Sequence, residues 1–176
     1  KEFTIENRYL VMPIQNQARG GKGTGLLQVF VDGEEVRHYN LRLAPSAEQA
    51  DWYAFFTIDR YRGRRARVVA EKATDEGFAL VRQADAIPGE DQFYREPHRP
   101  QFHFTQKVGW NNDPNGMVYH DGTWHFFFQH NPVALPWGNM TWGHATSTDL
   151  VHWEQQPNKL FPKTMAVKDC FSGGAT

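Results

Sequence analysis

With 176 residues, 19 basic and 20 acidic side chains and a net charge of −1, the chain carries no bulk field that would draw nucleic acid or acidic lipid. Its length leaves room for one domain or two small ones, and no apolar run reaches the roughly 20 residues of a membrane-crossing helix. The single cysteine, Cys170, cannot close an internal disulfide and reads as a small buried hydrophobe.

Lys1-Glu2-Phe3 is neither a signal peptide nor an initiator Met, so the start is expected to be mature or trimmed, with the targeting information absent. The first half then reads as a run of short strands. Gly20–Gly25 lacks the spacing of a phosphate loop and is expected to be a plain flexible loop. Leu26–Val31 alternates apolar and polar residues, Asp32-Gly33 suits a hairpin turn, and Glu35–Leu43 continues outward. Trp52–Ile58 should place Trp52, Ala54, Phe56 and Ile58 on one face and Tyr53, Phe55 and Thr57 on the other. Trp52 is expected to pack in a core, although with Tyr53 it could also serve as a sugar platform. The arginines of Arg60–Arg67 suit a solvated hairpin guarding a sheet edge. Arg65–Glu71 and Phe78–Arg82 are read as two further strands. Short strands punctuated at this rhythm predict a β-sandwich-like domain over residues 1–98.

From Asp85 to Pro100 the composition turns to Pro, Gly and charge, which marks a linker. Beyond it the aromatic density rises, and five of the six tryptophans lie at or after Trp110, so residues 99–176 are expected to form a different module. The stretch Trp110-Asn111-Asn112-Asp113-Pro114-Asn115-Gly116 sets one carboxylate among amides and an indole. Pro114 drives Asp113 out of the helical region, and Asn115-Gly116 suits a tight turn. Asn112 and Asn115 are placed to donate hydrogen bonds that keep Asp113 ionised. Gly116–His120 reads as a strand, Asp121-Gly122 as a hairpin turn and Thr123–His130 as the return strand. Both faces of that return strand are bulky, with His125, Phe127 and Gln129 on one and Trp124, Phe126, Phe128 and His130 on the other. Such a strand is expected to be covered on both sides. Trp124, Trp142 and Trp153 are assigned to core packing. His120, His125, His130 and His144 lack a carboxylate at ligand spacing; neither a metal nor a cofactor is expected.

After the hairpin come Trp137-Gly138-Asn139, Trp142-Gly143-His144-Ala145, Ser147-Thr148-Asp149 and Phe171-Ser172-Gly173-Gly174-Ala175. Taken with the Asp113 stretch, this ordered series resembles the glycoside hydrolase family 32 enzymes, which include invertases, inulinases and levanases. The resemblance covers about residues 99–176. It implies an all-β fold in which this half is the first blade of an incomplete five-bladed β-propeller. It assigns Asp113 as nucleophile, Asn112 and Gln129 as partners of fructose hydroxyls, Trp137 as a pocket wall, and Phe171 with Ser172 as the pocket floor.

The reaction implied is retaining hydrolysis of a β-fructofuranosidic bond in levan, inulin or sucrose, with two carboxylates roughly 5–5.5 Å apart. The chain departs from the family in one large respect. The Arg-Asp-Pro of the transition-state stabiliser and the Glu-Cys of the acid/base do not occur, and Asp121, Asp149, Glu154 and Asp169 match neither. A smaller departure is Ser172-Gly173-Gly174 in place of Ser-Gly-Ser, which is expected to loosen the pocket floor. The expectation is an N-terminal fragment, inactive alone, that needs the remainder of the propeller as its partner. An extracellular or periplasmic location is expected. A fructosyltransferase and a non-catalytic carbohydrate-binding protein remain as alternatives.

Overall fold

The computed structural model describes residues 1–16, 23–162 and 169–175. Within the Gly20–Gly25 loop, residues 20–22 lie outside the described residues. Tyr9–Ile14 is an unbroken apolar run, and the reason is that both of its faces are covered. This strand, β2, follows the short β1 (Glu2–Thr4) and precedes β3 (Gly25–Val31), β4 (Glu34–Leu41), β5 (Trp52–Thr57), β6 (Arg65–Ala70) and β7 (Arg82–Ala84). They form two antiparallel sheets, one ordered β1-β6-β3-β4 and the other β5-β2-β7.

Alternation assigns the two faces of β2. Leu10, Met12 and Ile14 join Leu27, Val29 and Tyr39 in one core shared by both sheets. Tyr9 and Val11 turn the other way and meet Ile87, Phe55 and Phe93. Pro13 is tolerated in this central strand because β7 pairs only with Tyr9–Val11. Past the end of β7 the Pro13 carbonyl accepts from Ala44 N at 3.0 Å, so the bond made there needs no N–H from Pro13. On β5, Trp52, Ala54 and Phe56 face the shared core, as their spacing implies. Leu10 is fully buried, and Leu10→Ala is expected to cost about 2–5 kcal/mol, read as a lowered midpoint in urea unfolding.

The hairpin turn Asp32-Gly33 has φ of 49° and 89°, both in the left-handed region that a two-residue turn of this kind requires. Two expectations fail in this half. The segment 75–79 is a short helix, α1, because the Thr74 hydroxyl accepts from Gly77 N at 3.0 Å and caps it. The strand that follows is therefore only Arg82–Ala84. The arginine-rich β6 is not an edge: it lies between β1 and β3. Its side chains are satisfied locally, with Arg65 on Glu2 at 2.9 Å and Arg67 over the Phe30 ring.

The second half folds as one four-stranded antiparallel sheet in the order β11-β10-β9-β8. Its strands are β8 (Trp110–His120), β9 (Thr123–Asn131), β10 (Thr141–Ser147) and β11 (Glu154–Leu160). Consecutive strands pair with their neighbours, which is the form expected of one propeller blade. Asp121-Gly122 makes the β8–β9 turn with φ of 45° and 79°. Both faces of β9 are covered. Phe126 and Phe128 meet Phe104, and Trp153 packs on Phe104 and Phe126. On the other face Phe127 stacks on His144 and lies beside Trp142.

The two halves are fastened to one another. Asn40 N donates to Asn139 Oδ1 at 2.7 Å, and Asn139 Nδ2 donates back to the Asn40 carbonyl at 2.9 Å. Val133, on the β9–β10 connection, is fully buried in the core of the first two sheets, and the Arg37 guanidinium stacks on Phe161 at 3.3 Å. The whole is all-β apart from α1 and two single 3₁₀ turns among the described residues.

Candidate active site

Asp113 sits near the start of β8, the edge strand of its sheet. Register shifts on either side of Pro114 mark bulges, which is how an edge strand re-aims a side chain. Asn115-Gly116 does not form the expected turn. It lies inside the strand, with Gly116 at φ +112°. A Cβ there would come within 2.5 Å of Ala175 N. Only glycine lets the 171–175 segment pass so close to the strand.

That close passage brings two of the expected residues together. Ser172 Oγ donates to Asp113 Oδ2 at 2.8 Å. The sequence pointed to Asn112 and Asn115 as the donors that hold this carboxylate, and the structure gives both a different role. Asn112 Oδ1 accepts from the Trp110 indole at 3.1 Å. Asn115 turns inward and is fully buried. Its amide is satisfied when its oxygen faces the Trp142 indole N–H at 3.1 Å and the Gln129 backbone N–H at 3.3 Å. The bulge explains the change, because it sends Asn115 into the sheet while Asp113 stays exposed.

Trp142 was assigned to packing, yet its N–H also donates to the Phe171 carbonyl at 3.0 Å. One indole thus links the segment carrying Ser172 to the strand carrying Asp113. Gly173 lies against the same ring, where a Cβ would sit 2.9 Å from Cζ2. Gly174 has nothing within 4 Å of a notional Cβ, so the position has room for the side chain that the family pattern would place there. The signal missed in the sequence was Asn115: a polar residue with an inward-pointing task, disguised as half of a turn dipeptide.

Gln129 is only 2% exposed, and neither side-chain polar atom has a hydrogen-bond partner. Leaving such an amide unpaired costs about 1–3 kcal/mol, and buried polar atoms left this way call for an explanation. The Phe171 side chain is 71% exposed and Trp137 is 57% exposed. Trp137 lies on the β9–β10 connection. That connection is shaped by Asn131, whose Nδ2 donates to the Pro136 carbonyl at 2.9 Å and whose Oδ1 accepts from Val133 N at 3.2 Å.

Two of the other acids, Asp149 and Asp169, have structural tasks. Asp149 accepts from the backbone of Val151 and His152 and from the Ser147 hydroxyl. With the His152 ring as the leading cause, these bonds hold its pKa well below the usual carboxylate range, a poor match to a general acid. Asp169 accepts from Met140 N at 2.8 Å. Cys170 is half-buried, and burial raises its thiol pKa.

His125 Nδ1 and His144 Nε2 are 3.0 Å apart, with parallel rings. Burial, then Lys159 and His125, push the His144 pKa from 6.5 down to about 4. The folded ring therefore refuses a proton that the unfolded chain accepts, and stability falls as pH drops from 6.5 towards 4. Burial lowers the His130 pKa too, with the same sign. Calorimetry between pH 7 and pH 4 should show a falling thermal midpoint, with a shallower fall in His144→Asn.

Comparison with known proteins finds relatives for the second half of the chain. Residues 103–176 match the model of the glycosyl hydrolases family 32 N-terminal domain. Over 85 residues the chain is 56% identical to an extracellular exo-inulinase of Aspergillus niger, covering 47% of this chain and 16% of that protein. It is 50% identical over 98 residues to a levanase of Bacillus subtilis, covering 56% of this chain and 14% of that one. Among solved structures, a family 32 glycoside hydrolase from Bifidobacterium adolescentis aligns over 98% of this chain and 30% of its own, with 25% identity and a TM-score of 0.49. The chain thus spans about a sixth of the length of the two curated relatives. The match to the family 32 N-terminal domain lies in its second half, over residues 103–176.

Proposed function

We propose that this chain supplies the nucleophile's side of a retaining hydrolase acting on β-fructofuranosidic bonds of fructans or sucrose. The observation that carries the reading is the Asp113 carboxylate, held by Ser172 Oγ at 2.8 Å on a strand braced through Asn115 and Trp142. In this reading Asp113 attacks the anomeric carbon of the fructosyl unit and forms a covalent ester. A carboxylic acid from outside this chain protonates the departing oxygen and then activates water for the second step.

The unpartnered Gln129 amide supports the same reading, since a sugar hydroxyl both donates and accepts. Asn112 takes a second hydroxyl, the exposed Trp137 indole packs on a C–H face of the sugar, and Phe171 closes the floor beside Ser172. Residues 1–98 act as a sandwich-like accessory domain. Residues 99–176 begin a five-bladed propeller whose remaining blades complete the site. The name of the extracellular exo-inulinase supports a secreted protein.

The test is hydrolysis of sucrose, inulin and levan by the protein of the complete gene and by this chain alone. Release of fructose with retention by the former and no turnover by the latter is expected. Robust turnover by the isolated chain would show that Asp113 has its acid/base partner within these 176 residues, contrary to the proposal.

A further inference from the structure

Arg8 leads into β2 and Lys107 lies just before β8, and the two halves of the chain face each other there. Between them is a cavity of about 120 Å³, lined among others by Arg8, Tyr9 and Phe55 from one half and Lys107, Gln155 and Phe161 from the other. His130 also borders it. Along β9, His130 and Gln129 point to opposite faces, so this cavity lies across the sheet from the Gln129 amide.

Its walls are fixed in advance. Phe55 is held edge-on by Tyr9 at 5.6 Å and stacked on Phe93 at 6.2 Å. Phe161 is held by the Arg37 guanidinium stacked on its ring. Two phenyl rings buttressed by other groups offer apolar surface at little ordering cost. Around them are donors with capacity to spare. Gln155 Oε1 accepts from Lys107 N at 2.6 Å, which fixes the amide and leaves its NH₂ free to donate. The Arg8 guanidinium, 4.9 Å from the Tyr9 ring centroid, and the Lys107 ammonium add charge-assisted donors. Glu154, also at the cavity, supplies an acceptor.

We propose that this cavity binds a single sugar ring, as an accessory carbohydrate site separate from Asp113. A ring with C–H faces for the phenyl groups and hydroxyls for the amide, cations and carboxylate matches the lining. Because both halves contribute, an occupant also ties them together and raises the thermal midpoint. The choice of a sugar over another ring-sized solute rests on the carbohydrate-active reading of the Asp113 site.

The test is an NMR titration of this chain with fructose, glucose and sucrose, and separately with inorganic phosphate. Saturable shifts are expected at the Tyr9, Phe55 and Gln155 amides with at least one sugar. They should weaken about tenfold in Arg8→Ala, which removes one charge-assisted donor, and persist unchanged in Asp113→Asn. Arg8 is an exposed side chain, so this variant is expected to fold; an unaltered spectrum away from the cavity checks that. Shifts confined to Asp113, Gln129 and Ser172, no saturation with any sugar, or saturation by phosphate alone would each overturn the proposal. Turnover by Asp113→Asn in the complete protein bears only on the active-site reading, so the two claims fail separately.

Discussion

Asp113→Asn in the complete protein is expected to lower kcat for sucrose or fructan hydrolysis by about 10⁴-fold or more, the scale seen when a covalent nucleophile is removed. The amide that replaces the carboxylate cannot form the ester that divides the reaction into two easier steps. Fold and ground-state binding should survive. The side chain is exposed, and its partner, the Ser172 hydroxyl, can equally donate to an amide oxygen. A fructose assay with a matched thermal melt separates the two effects. An unchanged melt with lost turnover is the expected result, and turnover within tenfold of wild type would remove Asp113 from the chemistry.

Gly116→Ala should have the largest structural effect at the site. Gly116 has φ +112°, a conformation that L side chains rarely adopt, and the added methyl would meet Ala175 N at 2.5 Å. Strain and overpacking together are expected to cost about 2–4 kcal/mol. The easier way to relieve the clash is to move the 171–175 segment, which carries Ser172 away from Asp113. The variant should therefore lose hydrolysis in the complete protein along with stability. Gly174→Ser, by contrast, adds a side chain where nothing lies within 4 Å, and is expected to leave the melt within about 0.5 kcal/mol of wild type. Chemical denaturation of the two variants side by side measures the difference.

What could be read in the sequence, and what could not, follows from the range of each interaction. The turns at Asp32-Gly33 and Asp121-Gly122 depend only on local φ preferences, and both form where expected. The alternation on β5 and β9 also held, because burial on two faces imposes a period of two on each strand. The short helix at 75–79 is not legible, because its signal is a cap from Thr74 to Gly77, weaker in the sequence than the apolar residues Phe78 and Leu80 that follow. The place of β6 inside its sheet depends on pairing with β1, more than 60 residues away in sequence, which no local pattern reports.

The site divides in the same way. Asp113, Gln129 and Ser172 were singled out through the order of several motifs, but the hydrogen bond between Asp113 and Ser172, 59 residues apart, emerges only in the fold. The inward turn of Asn115 was not legible, because a bulge is a disagreement between two strands and leaves little trace in one of them. The bridging task of Trp142 was hidden for a related reason. An indole N–H that bonds a carbonyl 29 residues further along the chain looks, in sequence, like any other core tryptophan.

The most direct test is to trap the reaction partway. The complete protein, slowed in its second step, should be quenched during turnover of sucrose or a short fructan, digested and examined by mass spectrometry. The account expects a fructosyl ester on the peptide that contains Asp113, absent from Asp113→Asn. An adduct on a different carboxylate, or hydrolysis that inverts the anomeric centre with no adduct at all, would contradict it.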